Sequence, residues 1–275
     1  MKKTGLFGRL MIGATLLFLY LPILFLIVFS FNSSKSRTIW TGFTFDWYIR
    51  LFSNAAVLDS LYITLLVSAL AAVIATVFGT FAAVGLFGMR RRWRSPLLAI
   101  NNIPVINADI ITGVSMSLLF VSTSTLLANT VFRFKLGFGT LLIAHVTFNI
   151  PYVILSVMPK LYQLDKNLFE AAQDLGCTWL QAFWKVIIPE IMPGIVNGMI
   201  IAFTMSIDDF VISYFTSGTV QTLAMTIYSM TRKRVSPEIN AISTLLFVFV
   251  LAMLTIVNIR ESRATAGDPA RQHGG

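Results

Sequence analysis

Uncharged apolar runs recur along the chain at lengths that fit a bilayer crossing. Leu10–Ser34, Ser60–Met89, Leu136–Pro159 and Ile239–Ile259 contain no Asp, Glu, Lys or Arg. Leu97–Val121 and Ile191–Phe215 are equally apolar except for Asp109 and the pair Asp208–Asp209. About 20 residues of helix, at 1.5 Å each, cross the hydrocarbon of a membrane. The pattern therefore predicts six transmembrane helices, roughly 10–31, 61–88, 97–121, 137–158, 191–215 and 239–260, and an all-α polytopic membrane protein. The membrane domain is expected to fill residues 1–263, with a disordered tail at 264–275.

Composition agrees with this pattern. Apolar residues make up 56% of the chain and charged residues 12%, well below the roughly 25% of soluble domains. The first apolar run follows Lys2, Lys3 and Arg9, as in a secretory leader. It is longer than the usual h-region of about 7–15 residues and no A-x-A site follows, so it reads as a retained helix.

The net charge of +9 does not point to nucleic acid, because its distribution follows the spans. Six crossings put both tails on one side. That side holds thirteen of the Lys and Arg residues, including the Arg90–Arg94 turn, and the other side holds eight. The positive-inside rule then predicts cytoplasmic termini. It also places the loop 159–190 in the cytoplasm.

Smaller features refine the spans. Ala71, Ala72, Ala75, Gly79 and Ala83 let the second span pack closely against neighbours. Pro22, Pro104, Pro151 and Pro193 are candidate kinks. Trp40, Phe43, Phe45, Trp47 and Tyr48 between the first two spans read as an interfacial belt. His145 reads as a packed or hydrogen-bonded helix residue. Cys177 is the only cysteine, which excludes an internal disulfide and a cysteine metal cage. Thr216–Gln221 reads as an outer loop, after which Leu223–Met230 can dip back into the protein.

The loop Leu164–Pro189 is not slack. Leu168, Ala172, Leu175, Trp179, Phe183 and Val186 recur in steps of three and four, which predicts an amphipathic helical element. Gly176 is the expected turn between two short helices. Within it, Glu170-Ala171-Ala172, three residues, Gly176, nine residues, then Val186, Ile188 and Pro189 resemble the EAA motif of binding-protein-dependent ABC importer permeases, EAA-x3-G-x9-I-x-L-P. Val186 and Ile188 replace the family's Ile and Leu. The resemblance implies the type I ABC importer permease fold. It also implies that Glu170, Ala171, Ala172, Gly176 and Pro189 belong to a coupling helix that docks on an ATPase.

The chain has no G-x4-G-K-[ST] sequence, so ATP and Mg are expected on a partner subunit and no cofactor on this one. The implied partners are a cytoplasmic ATPase dimer, a second, similar permease and an extracytoplasmic substrate-binding protein, with the lipid bilayer as solvent. The implied location is the bacterial inner membrane. No catalytic residue is expected.

The acids inside the spans suggest the cargo. A charge at membrane depth costs about 2.5–3.5 kcal/mol on insertion scales and usually meets a partner or a wet path. Asp109, Asp208 and Asp209 are therefore candidates for a cationic substrate path. Neighbouring Asp208 and Asp209 lie about 100° apart on a helix, so at most one faces that path squarely. The alternative role for each is capping a helix break, or, for Asp208–Asp209, sitting at the outer interface. The stretches Phe31–Arg37, His145–Val153, Glu170–Gly176, Phe203–Phe215 and Ile227–Ala241 also resemble the spermidine/putrescine permeases of this family. Asn101–Ile111 diverges but keeps an acid at Asp109. Polyamine import is the expected function, with iron(III), thiamine or another small solute as the alternative cargo. An ion-driven carrier would use the same acids as relays but has no need of the EAA loop. A membrane enzyme would need a His, Cys and acid cluster that the sequence lacks.

Overall fold

A computed structural model describes residues 6–34, 39–126, 135–165, 167–233 and 238–266. Helices dominate because a backbone in lipid must satisfy its own N–H and C=O groups. In chain order they are α1 (Leu6–Phe29), α2 (Asp46–Ser53), α3 (Ala55–Gly88), α4 (Arg91–Ile106), α5 (Asp109–Leu126) and α6 (Phe138–Gln163). There follow α7 (Asn167–Asp174), α8 (Trp179–Ala182), α9 (Ile188–Asp208), α10 (Val211–Thr216), α11 (Leu223–Lys233) and α12 (Glu238–Ala266). Six helices among the described residues are long and apolar enough to cross a membrane, in agreement with the hydrophobic pattern.

The bounds differ from the expected spans in an informative way. The run 97–121 is not one helix. It breaks at Asn107, which is extended, and only Asp109–Leu126 is a crossing. The run 191–215 breaks after Asp208, and α10 is a separate short helix. The prolines do not make these breaks: Pro22, Pro104, Pro151 and Pro193 all lie inside helices. The acids lie at the breaks instead. Helix α6 also runs four residues past Pro159, with Lys160 in its last turn, where the helix dipole favours a cation. Helix α12 continues to Ala266, beyond the expected start of the tail, and 267–275 lie outside the described residues.

The chain forms two compact units. One comprises the chain through Asp59 together with the part from Ile227 onward. In it α12 packs on α1 and α2. The segment between α1 and α2 folds around Asn32, whose amide donates to the Ile39 carbonyl at 2.8 Å and accepts from Thr41 N–H at 3.1 Å. Trp47 is buried and donates its indole N–H to the Asn32 carbonyl at 2.7 Å. It is a structural anchor of this loop, while exposed Trp40, Phe43 and Phe45 keep the character of an interfacial belt.

The second unit is Ser60–Thr226, with α6 at its centre. Val153, Ile154, Val157, Met158 and Leu161 of α6 meet Ala72, Ala75, Ala83 and Leu86 of α3 and Ile191 and Ala202 of α9. Small residues set the spacing. A Cβ on Gly79 would lie 2.7 Å from Val153 Cβ, and one on Gly198 would lie 3.2 Å from Val153 Cα. Val153 thus sits between two glycines on opposite neighbours. Without a hydrophobic drive in lipid, such close approach supplies the dispersion contacts that hold helices together.

Candidate translocation and coupling sites

The residues singled out in the sequence lie in two places, both in the α6-centred unit. The first is the pair of helix breaks. Asp109 stands in the first turn of α5, where the helix dipole favours an anion. Gly113, one turn on, approaches α10 so closely that a Cβ would lie 3.1 Å from Phe215. This contact brings the start of α5 against the break after α9. The charge of Asp109 acts on Asp208, as does that of Asp209.

The neighbouring acids have different surroundings. Asp209 caps α10: its carboxylate accepts the N–H of Ile212 at 3.2 Å and of Ser213 at 2.7 Å. Its side chain is 7% exposed and lies 3.5 Å from Nε2 of His145, itself 1% exposed. Asp208 is exposed and closes α9, at the helix end whose dipole disfavours an anion. Asp109 and Asp209 therefore have structural reasons to be acids, and Asp208 has none in helix geometry.

Three polar residues of α6 fix this region. Thr140 donates to the Thr216 carbonyl at 2.7 Å, at the end of α10. His145 meets Asp209 at the start of α10. Asn149 donates to Ser206 Oγ at 2.7 Å, within the last turn of α9. His145 and Asn149, four residues apart, share one face of α6, whereas Thr140, five residues before His145, lies well round the helix from both.

The second place is the loop after α6. Glu170 lies exposed in the first turn of α7, with Ala171 also exposed and Ala172 buried. Gly176 has φ +85°, the left-handed region open to glycine, and it turns the chain out of α7. Thr178 and Gln181 form a capping box at 3.3 and 3.0 Å that starts α8, a T-x-x-Q signal legible in the sequence. From there α8 passes through one π-turn, Phe183–Ile187, into α9, so Pro189 sits at the head of a membrane helix rather than in a loop. The turn changes the expected amphipathic face. Ala172 and Phe183 are buried, while Leu175 is 87% exposed and Trp179 is exposed. Gly176 breaks the helical phase, so the two halves do not share one apolar stripe. Phe183 stacks on Trp179 at 5.9 Å and on Phe81 of α3 at 6.4 Å, which ties the loop to the membrane core.

The loop thus couples an exposed face, with Glu170 and Leu175, to two membrane helices. Residues 75–260 match the family described as binding-protein-dependent transport system inner membrane component. The chain belongs to that family. It is the membrane-spanning permease subunit of an ABC importer, a transport component whose ATPase is a separate subunit. Among its relatives is the putrescine transport system permease protein PotI of Escherichia coli strain K12, 41% identical over 86% of this chain and 83% of that protein. The spermidine/putrescine transport system permease protein PotC of Shigella flexneri is 35% identical over 98% of each. The permease also shares its fold with a chain of a bacterial ABC transporter that imports the acidic polysaccharide alginate, at TM-score 0.73 and 16% identity over 94% and 95% of the two chains. The MetNI methionine ABC transporter gives TM-score 0.59 at 20% identity over 76% of this chain and 95% of that one.

Proposed function

We propose that this permease carries polyamines, spermidine or putrescine, across the bacterial inner membrane. The observation that carries the reading is Asp208. It is an exposed acid at the unfavourable end of a membrane helix, with the charge of Asp109 acting on it. Like charges held together in a membrane call for a cation, and a flexible polycation can meet several acids in turn. Relatives at 35–41% identity bear the names of putrescine and spermidine/putrescine permeases, which supports the same cargo.

In this reading a second, similar permease completes the pathway and an extracytoplasmic binding protein delivers the polyamine. A dimer of cytoplasmic ATPases, holding ATP and Mg, receives the α7–α8 segment. Glu170, Ala171, Ala172 and Gly176 form the docking element, and Pro189 marks where its motion enters α9. Closure of the ATPases pushes on α7–α8, and the continuous helix through Phe183–Ile187 passes that displacement to the break at Asp208. Both termini lie in the cytoplasm, where the basic excess places them.

ATP hydrolysis by the reconstituted complex with its binding protein tests the cargo. Spermidine or putrescine is expected to stimulate it, and iron(III) and thiamine are not. Stimulation by iron(III) or thiamine alone overturns the polyamine assignment and leaves the permease assignment standing.

A further inference from the structure

His145 is a buried titratable residue that the transport scheme does not use. Its Nδ1 lies 2.9 Å from the Leu141 carbonyl. A carbonyl oxygen only accepts, so Nδ1 carries a proton and donates it. The other ring nitrogen then faces Asp209 Oδ2 at 3.5 Å. A bare Nε2 beside a carboxylate would set lone pair against lone pair where burial leaves little water to part them. One further proton between Nε2 and Oδ2 removes that conflict, wherever it resides. The other bonds to the carboxylate come from the N–H groups of Ile212 and Ser213, which leave room for this one.

We infer that His145 and Asp209 together hold one proton besides that on Nδ1, so that the buried pair has no net charge and clamps the start of α10. His145 is a positioning residue. With Thr140 fixing the other end of α10 through the Thr216 carbonyl, α6 holds this short helix at both ends. The acidic doublet then offers the pathway one carboxylate, Asp208, with Asp109 the other acid acting on it. The extra proton of the pair is independent of the cargo; only its consequence for Asp208 rests on the acidic path proposed above.

Two measurements test it. His145 and His273 are the only histidines, so a full-length chain carrying His273→Ala has one imidazole. Such a chain, labelled with 15N-histidine, purified without a histidine tag and placed in lipid bilayers, reports both ring nitrogens by NMR. The expected spectrum has a protonated Nδ1 and an Nε2 that either carries a proton or accepts one from Asp209, and Asp209→Asn shifts the Nε2 signal. An Nε2 with neither, or no response to Asp209→Asn, overturns the inference. In the assembled importer, His145→Leu strands the Asp209 charge and is expected to lower uptake about tenfold or more. Adding Asp209→Asn removes the stranded charge and is expected to restore most of that loss. A double variant as impaired as His145→Leu assigns His145 a packing role and overturns the inference. Should His145→Leu fail to fold, the NMR result decides.

Discussion

The side-chain amide of Asn149 on α6 donates to Ser206 Oγ on α9 at 2.7 Å, and both residues are buried. This bond crosses the packed α6–α9 pair, close to the break that ends α9. Ser206→Ala leaves the amide donor without that acceptor. Interhelical bonds in lipid are worth less than desolvation alone suggests, because the unfolded chain finds other partners. The expected loss is about 1 kcal/mol. Unfolding of the purified permease in mixed micelles checks it, and a variant as stable as the parent removes the bond from the account of α6–α9 packing.

Close approach makes a sharper demand at Gly79. A Cβ there would lie 2.7 Å from Val153 Cβ and 3.3 Å from the Ile150 carbonyl. Gly79→Ala is expected to cost about 1–3 kcal/mol by overpacking. Val153→Ala alone is also destabilising, since it opens a cavity. Combined with Gly79→Ala it recovers part of the loss, because the new methyl enters space the valine vacated. Thermal denaturation of the four proteins measures that coupling, and strict additivity of the two losses rules out the proposed clash.

Some of this was legible in the sequence and some was not, for physical reasons. The six crossings follow from uncharged runs, because hydropathy and length are local properties. Gly79 could be read as a packing residue, but not as Val153's neighbour, since the partner lies on another helix. The breaks after Ile106 and Asp208 were legible only as an alternative role for the acids, a cap on a helix break, because lipid permits apolar residues on both sides of a break. The prolines also read as kinks, although their helices continue through them. The differing fates of Asp208 and Asp209 required the position of His145, on a helix more than sixty residues earlier in the chain.

Charge distribution leads to a prediction about orientation. Tags on both ends of the chain are expected to be reachable only from the cytoplasm, given the basic excess on the side of the tails. Labelling of a C-terminal cysteine tag from outside intact cells checks this. A tag that reacts without permeabilisation reverses the topology and moves α7–α8 away from ATP.

The turn at Gly176 permits a test of coupling. With φ at +85°, any L side chain there is strained, at about 1–2 kcal/mol. Gly176→Leu also places bulk at the exposed tip beside Leu175. Glu170→Arg reverses the charge in the first turn of α7 without touching the core. Both variants are expected to insert normally, bind the ATPase weakly and lose ATP-driven uptake. Membrane fractionation, co-purification and vesicle uptake separate these steps. Normal uptake in both variants rules out α7–α8 as the docking element.

Asp208 gives the most discriminating test of the pathway. Asp208→Asn keeps size and hydrogen-bonding capacity while removing charge, so any effect beyond a small one reports electrostatics. A cation held by a carboxylate in a partly wet site gains a few kcal/mol at most, and about 1.4 kcal/mol is a tenfold change. Uptake of spermidine is expected to fall about tenfold in Asp208→Asn and to survive in Asp208→Glu, which keeps the charge. Asp109→Asn is expected to have a smaller effect, since that acid also serves the start of α5. Assembly with the ATPase should be the same in all three variants, because α7–α8 is unchanged. Saturation curves in proteoliposomes at fixed ATP provide the comparison. Equal uptake by Asp208→Asn and the parent means that the exposed acid at the end of α9 does not see the cargo, and the pathway must then be lined by other residues.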